Sequence, residues 1–178
     1  MNTVYDIAII GGGPGGIGTA IEAAVHGIEN VLLIDKADNH SSTIRKFYKD
    51  NKRVDKDWKG QTVNIEGNVP FMDGTKETTL DFFDQLLDEE KIDTAFNTEV
   101  ESIVRKEEDD LFLITTATQS FRSRAVVVTI GKMGKPNKPT YKVPPSIKEY
   151  VNFNLDKCST GEKILVVGGG NSASEYAY

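Results

Sequence analysis

The residues of this chain best suited to chemistry are two groups of glycines, and the chemistry they suit is holding phosphate. The first group is Gly11-Gly12-Gly13-Pro14-Gly15-Gly16, directly after the apolar run 5–10. The second is Gly168-Gly169-Gly170-Asn171-Ser172-Ala173, after the run 163–167 and 157 positions further along. A glycine turn between a strand and a helix presents backbone N–H groups and the positive end of the helix dipole, and both attract a diphosphate. One such turn marks a nucleotide. Two in one chain point to two dinucleotides, and so to electrons passing from one to the other.

The first group reads Gly11-x-Gly13-x-x-Gly16, the spacing of a dinucleotide fingerprint. Gly11 makes the turn, Gly13 lets the backbone approach the pyrophosphate, and Gly16 lets helix and strand pack closely. Gly12, Pro14 and Gly15 fill the same cradle. Asp35 closes the next apolar run, 24 positions after Gly11, where a carboxylate can accept hydrogen bonds from both adenosine ribose hydroxyls. Lys36 beside it either lies along the adenine or faces solvent. Thr129 and Gly131 end another apolar run. Val100 reads as core by composition. The second group reads Gly168-x-Gly170-x-x-Ala173, with small Ala173 in the place of the third glycine. Asn171 and Ser172 there either cap the helix or reach phosphate. Glu175 is either a helix-terminal charge or a neighbour of the nicotinamide.

The elements that must position these residues follow from the apolar pattern. Runs 5–10 and 31–34 read as buried parallel strands. Between them Ile17, Ala20, Ile21, Ala24 and Val25 recur at helical spacing, and Gly27 ends the helix. This is one βαβ unit. Residues 37–74 are polar and weakly periodic, a functional or partly mobile connection. The cluster Ser41-Ser42-Thr43 within it either contacts a cofactor or, the favoured reading, is a solvated loop. Thr78 and Asp81 resemble a capping box ahead of an amphipathic helix carrying Leu80, Phe83, Leu86 and Leu87. Segments 94–106, 111–116 and 120–124 read as an antiparallel excursion, with 107–110 as an acidic hairpin tip. Run 125–130 is a further buried strand. Residues 132–145 hold Gly134 and four prolines and read as a linker. A turn at Gly161, a strand at 163–167 and a helix opening near Asn171 follow. The fold class is α/β: a Rossmann-like, three-layer sandwich with a small antiparallel excursion, and the start of a second Rossmann-like domain. The boundaries are 1–135 for the first domain, incomplete, then a linker over 136–160, then the truncated start of the second over 161–178.

Composition narrows the function. The net charge of −6 gives no electrostatic reason to seek nucleic acid or an anionic membrane. No apolar run approaches the ~20 residues of a membrane span, and the chain enters a strand with no signal peptide ahead of it. A cytoplasmic protein is expected. Cys158 is the only cysteine, so an intramolecular disulfide, a Cys-x-x-Cys pair and a cysteine zinc site are excluded from this stretch of sequence. Cys158 reads as an incidental thiol. His26 and His40, the only histidines, read as surface residues, and no metal site is expected.

Taken together, GGGPGG with Asp35, AVVVTIGKMGKPNKP and ILVVGGGNSASE resemble the N-terminal part of a thioredoxin reductase-like flavoprotein with two dinucleotide sites, most of all the bacillithiol disulfide reductase group. The resemblance runs the length of the chain and is vague over 37–74. It implies that GGGPGG cradles the FAD pyrophosphate and that Asp35 holds the adenosine ribose. It further implies that the strand ending Thr129-Ile130-Gly131 closes over FAD, that Val100 meets adenine through its backbone, and that the turn at Gly168 receives NAD(P)H. Members of that group carry a cysteine directly after the proline of the first motif; this chain has Gly15 there. Ferredoxin–NADP reductases share the architecture without a redox cysteine. The resemblance also implies a longer enzyme, homodimeric when whole, of which this stretch alone is inactive.

The reading that follows is an FAD-dependent pyridine-nucleotide oxidoreductase. It would pass hydride from NAD(P)H through flavin to a disulfide or other small acceptor; no residue is assigned as catalytic. Two alternatives stand beside it. One is an electron transferase serving a small carrier protein such as ferredoxin or flavodoxin. The other is a dinucleotide-binding module without turnover.

Overall fold

The computed structural model describes residues 3–57, 60–132, 138–153, 157–159 and 161–177. The chain divides into two compact units, residues 1–132 and 133–178. The first is built on a six-stranded sheet in the order β5-β2-β1-β8-β7-β6. Strands β1 (Val4–Ile10), β2 (Val31–Ile34), β5 (Asp93–Ala95) and β8 (Ser120–Val128) run parallel. β6 (Val100–Lys106), β7 (Leu111–Thr116) and β8 form the antiparallel part. This is the α/β class expected, with its antiparallel excursion.

Helix α1 (Pro14–Val25) buries Ile17, Ala20, Ile21 and Ala23 against one face of the sheet. Beyond its end Gly27 takes φ +80° and donates its N–H to Ala24 O, so the glycine stop falls where the sequence put it. Helix α3 (Lys76–Glu89) buries Leu80, Phe83 and Leu87 in the same cluster. The opposite face of the sheet joins Ala8, Ile10, Leu32, Ile34 and Ile114. All four residues of β2 are buried, as a strand covered on both faces must be.

Several local expectations are corrected. The capping box of α3 is Thr75 with Thr78, not Thr78 with Asp81: Thr75 N–H donates to Thr78 Oγ1 at 2.9 Å and Thr78 N–H to Thr75 Oγ1 at 3.4 Å. Thr75 is extended, as an N-cap must be, so the helix starts three residues earlier. The single strand expected over 94–106 is two, β5 and β6, at opposite edges of the sheet; the crossing is made at 96–99, with Asn97 at φ +52°. Conversely, 120–124 and the run from 125 form one strand, β8, because it pairs with both β7 and β1. It stops at Val128, short of the expected end at 130, and its end is less buried than expected: Val128 is 57% exposed, and Ile130 beyond it 72%. The polar connection 37–74 carries helix α2 (Ser42–Phe47) and a two-stranded ribbon of β3 (Arg53–Val54) and β4 (Gly74–Thr75). Ser41 is buried, not a solvated loop residue. The acidic tip at 107–110 is an exposed turn, where Asp109 and Asp110 pair with Arg122 and Arg105.

In the second unit the described residues form a 3-10 turn (Pro145–Tyr150) and helix α4 (Asn171–Ala177). The strand expected at 163–167 does not form there, and Leu165 and Val167 are 87% and 73% exposed. A parallel strand draws its hydrogen bonds from neighbouring strands, and none of the unit's described residues forms one. Part of the expected linker, residues 133–137 with Gly134 and Pro136, lies outside the described residues. Among the described residues no helix is long and apolar enough to cross a membrane.

Candidate dinucleotide site

The first glycine turn is locked from both sides. Gly11, at φ +111°, donates its N–H to Ile34 O at 2.8 Å. A side chain on Gly11 would stand 2.5 Å from Thr129 O, so only glycine allows β1 and β8 to close here. Thr129 Oγ1 donates toward Gly11 O at 2.8 Å, and Thr129 N–H donates to Ile10 O at 2.8 Å. Thr129 thus clips the turn from the β8 side. Gly16 is buried at the first turn of α1, and any side chain there would overlap Gly11 O. The close helix–strand approach required of the third glycine is therefore present.

Asp35 holds the turn from the β2 side. Its Oδ2 accepts the Gly12 N–H at 2.6 Å and its Oδ1 accepts the Ala37 N–H at 2.8 Å. Its backbone is pinned as well: Asp35 N–H donates to Ala95 O and Thr98 N–H to Asp35 O. Each carboxylate oxygen keeps a further acceptor direction. The segment 96–99 therefore runs beside 35–37 and delivers Val100, half-buried, next to Ile10. Val100 lines a hollow of about 250 Å³ with Ile10, Val128 and Ile130. Lys36 is largely exposed, its Nζ 3.9 Å from Glu99 Oε1, an exposed pair of little energetic weight. Gly131 follows Thr129 at φ +67°.

The side of the turn facing away from the sheet is open. A Cβ on Gly13 would meet nothing within 4 Å, and one on Gly15 would reach only Thr129, at 3.9 Å. Pro14 occupies the first helical position, where its missing N–H costs nothing. No side chain caps α1, and its first turn carries no acid. The early N–H groups of the helix are thus left for an external acceptor, and no carboxylate in that turn competes with an anion. These features fit the pyrophosphate of a dinucleotide.

One part of the site escaped the sequence reading. His40 is fully buried, contrary to its expected place at the surface, while His26 is exposed as expected. Ser41, at φ 53°, donates its N–H to Gly12 O at 2.7 Å. His40 Nδ1 lies 3.0 Å from Ser41 Oγ, and its Nε2 lies 2.7 Å from Arg45 Nη2 and 2.9 Å from Asp84 Oδ1. Burial, against the pull of Asp84, holds the imidazole pKa below its ordinary value, with the Arg45 charge adding to the depression. The sequence signal was faint: a serine pair after a histidine in a polar segment.

The second turn is less complete. Gly168 takes φ +147°, and a side chain there would stand 3.3 Å from Ala173 Cβ. Small residues are thus needed at both positions. Gly169 and Gly170 face open space, and Ser174 N–H donates to Gly170 O. Asn171 opens α4, Ser172 is exposed and Glu175 half-buried. Cys158, half-buried, is a free thiol.

Residues 8–178 match the family of pyridine nucleotide-disulphide oxidoreductases. The chain belongs to that family. Among curated relatives it is 29% identical to a ferredoxin–NADP reductase of Streptococcus sanguinis, covering 99% of this chain and 51% of that protein. It is 29% identical to ferredoxin–NADP reductase 3 of Lysinibacillus sphaericus, covering 99% and 48%. The chain spans about half the length of the curated relatives it matches. Among solved structures it resembles the bacillithiol disulfide reductase of Staphylococcus aureus, with a TM-score of 0.60 and 22% identity over 78% of this chain and 41% of that one. A steroid monooxygenase bound to NADP aligns with a TM-score of 0.58 and 20% identity over 78% and 28%. These structural likenesses establish the Rossmann-like fold that this member of the pyridine nucleotide-disulphide oxidoreductases shares with them.

Proposed function

We propose that this chain supplies the FAD-binding half of a flavin-dependent NAD(P)H oxidoreductase, with the opening of its NAD(P)H site at the second turn. The observation that carries the reading is the first turn: locked by Asp35 and Thr129, open at Gly13 and Gly15, and followed by an uncapped helix N-terminus. Gly11, Gly12, Gly13, Pro14, Gly15 and Gly16 would hold the pyrophosphate, Asp35 the ribose, Val100 and Lys36 the adenine end, and Thr129 with Gly131 the closing strand. Gly168, Gly170, Asn171, Ser172 and Glu175 would serve NAD(P)H. When bound, FAD supplies the electron chemistry, accepting a hydride equivalent from NAD(P)H and passing electrons onward. The residues named here bind and orient.

A titration of the purified chain with FAD tests the reading. Uptake should quench flavin fluorescence in the wild type and fail in Gly16→Ala. A colourless chain that takes up no FAD would sink it.

For the acceptor, a small electron-carrier protein is favoured over a disulfide by one feature. Position 15, where the bacillithiol disulfide reductase group resembled by the motif carries a cysteine, is glycine and offers no thiol beside Thr129. Anaerobic reduction in the whole enzyme with a panel of carriers and disulfides discriminates the two. Turnover with disulfides alone would overturn the carrier reading.

A further inference from the structure

Besides placing Ile44 in the core, the segment 40–45 carries a polar cluster around buried His40 that backs the glycine turn directly. His40 joins two elements through three residues: Ser41 at the head of α2, Arg45 within α2 and Asp84 on α3. The Phe83 ring meets its edge, with centroids 6.2 Å apart. Arg45 also donates its Nε–H to His40 O at 2.9 Å and its Nη2–H to Asp84 Oδ2 at 3.2 Å. Behind the cluster, Ser41 N–H holds Gly12 O, and the Gly12 N–H is held by Asp35. The charged groups facing the imidazole are therefore Arg45 from α2, Asp84 from α3 and Asp35 from the end of β2.

The two contacts of Nε2 are chemically incompatible at one time. A guanidinium only donates, so the 2.7 Å approach of Arg45 Nη2 requires a bare Nε2 lone pair and a proton on Nδ1, donated to Ser41 Oγ. Adding a proton at Nε2 sets two donors against each other and must push Arg45 Nη2 off the ring. Asp84 Oδ1, 2.9 Å away, then takes the new N–H. The added positive charge meets the Asp84 carboxylate, so the field at the glycine turn changes little. What is lost is the contact of Arg45 Nη2 with the ring, one of the two bonds by which Arg45 braces residue 40.

We propose that His40 is a positioning residue for the nucleotide cradle: its neutral form, braced by Arg45, keeps Ser41 under Gly12, and its protonation exchanges Arg45 for Asp84 and loosens the turn. This inference rests on the reading of that turn as the FAD site. It adds a proton-sensitive control to it.

The test follows backbone amide resonances of Gly12 and Ser41 together with the His40 ring by NMR from pH 8 to pH 5, and FAD affinity over the same range. All three signals should titrate with one midpoint, and affinity should fall by up to about tenfold for each pH unit below it. Two mild variants move the midpoint in opposite directions. Asp84→Asn removes the anion that favours the charged ring and lowers it; Arg45→Gln removes the opposing cation and raises it. A structural role alone shifts the ring's own midpoint but does not carry the Gly12 amide and FAD affinity with it. Gly12 and Ser41 amides that ignore His40, midpoints unmoved by both variants, or FAD binding that tightens on acidification would each overturn the proposal. Coupled amide titration in a chain that binds no FAD would support the switch and refute the FAD reading instead.

Discussion

Gly15 and Gly16 are adjacent in the chain and opposite in what they tolerate. A methyl group on Gly16 overlaps Gly11 O, a backbone atom with no room to yield, whereas on Gly15 it reaches only Thr129 at 3.9 Å. Gly16→Ala should therefore destabilise the first unit by ~1–3 kcal/mol through overpacking. Gly15→Ala, inside the first turn of α1, should be neutral or stabilising by up to about 1 kcal/mol, because it removes a glycine from a helix. Urea midpoints of the two variants check this, and equal effects would show that the helix–strand approach is not the constraint. Asp35 has a different duty. Its two oxygens take two backbone N–H groups from different segments. Asp35→Asn keeps one acceptor and turns an amide NH2 toward the other donor, so it should cost about 1–3 kcal/mol. It should also weaken FAD uptake, whereas Lys36→Ala, in an exposed pair, should leave stability unchanged. Equal urea midpoints for Asp35→Asn and the wild type would show that the carboxylate does not hold the turn.

At the scale of elements, the start of α3 offers the clearest measurement. With the box closed by Thr75 and Thr78, Thr75→Ala and Thr78→Ala should each cost ~1 kcal/mol. The exposed Asp81→Ala should cost nothing measurable; a loss at Asp81 alone would restore the box expected from sequence. That misplacement shows what sequence does and does not carry. The βαβ unit was legible because β1, α1 and β2 bury strong apolar runs at clean periods, with glycines fixing both ends of the helix. Asp35 and Thr129 were legible as strand ends, and the structure brings both to the same turn. His40 was not legible, because its burial depends on Asp84, 44 positions away and on the exposed side of a helix. Nor was the split of 94–106 into β5 and β6. Both halves have strand character, and only the crossing at 96–99, secured by Asn97 N–H to Ala37 O and Thr98 N–H to Asp35 O, assigns them to opposite edges. The run 163–167 has the pattern of a buried strand, but pattern supplies no hydrogen-bonding neighbour.

At the scale of the whole molecule, proton linkage separates the contributions of loop 37–45 from those of the carboxylate contacts. His40 has a folded pKa below its unfolded value near 6.5. Between those two values the unfolded chain binds more protons, so stability rises with pH through that window and is flat above it. Glu22 and Glu77 are also held low, chiefly by the backbone N–H groups of Asn68 and Asn51. Their contributions are complete above the unfolded carboxylate value and fade only as pH falls through their lower folded values. Acidification from pH 8 should therefore lower the thermal midpoint in two stages. The first begins near pH 6.5 and belongs to His40; the second begins near the ordinary carboxylate range, ~4.3 for Glu, and includes Glu22 and Glu77. His40→Gln should erase the first stage and keep the second. Glu22→Gln should do the reverse in part, since the amide keeps one acceptor for Asn68. Thermal denaturation of the three proteins at half-unit pH steps reads both. Saturating FAD should raise every midpoint by mass action, by about 2.7 kcal/mol of stability at a hundredfold excess over Kd, and that gain should shrink only where pH falls below the folded pKa of His40. A first stage that persists in His40→Gln would assign the loss above pH 5 to some group other than the imidazole behind the glycine turn.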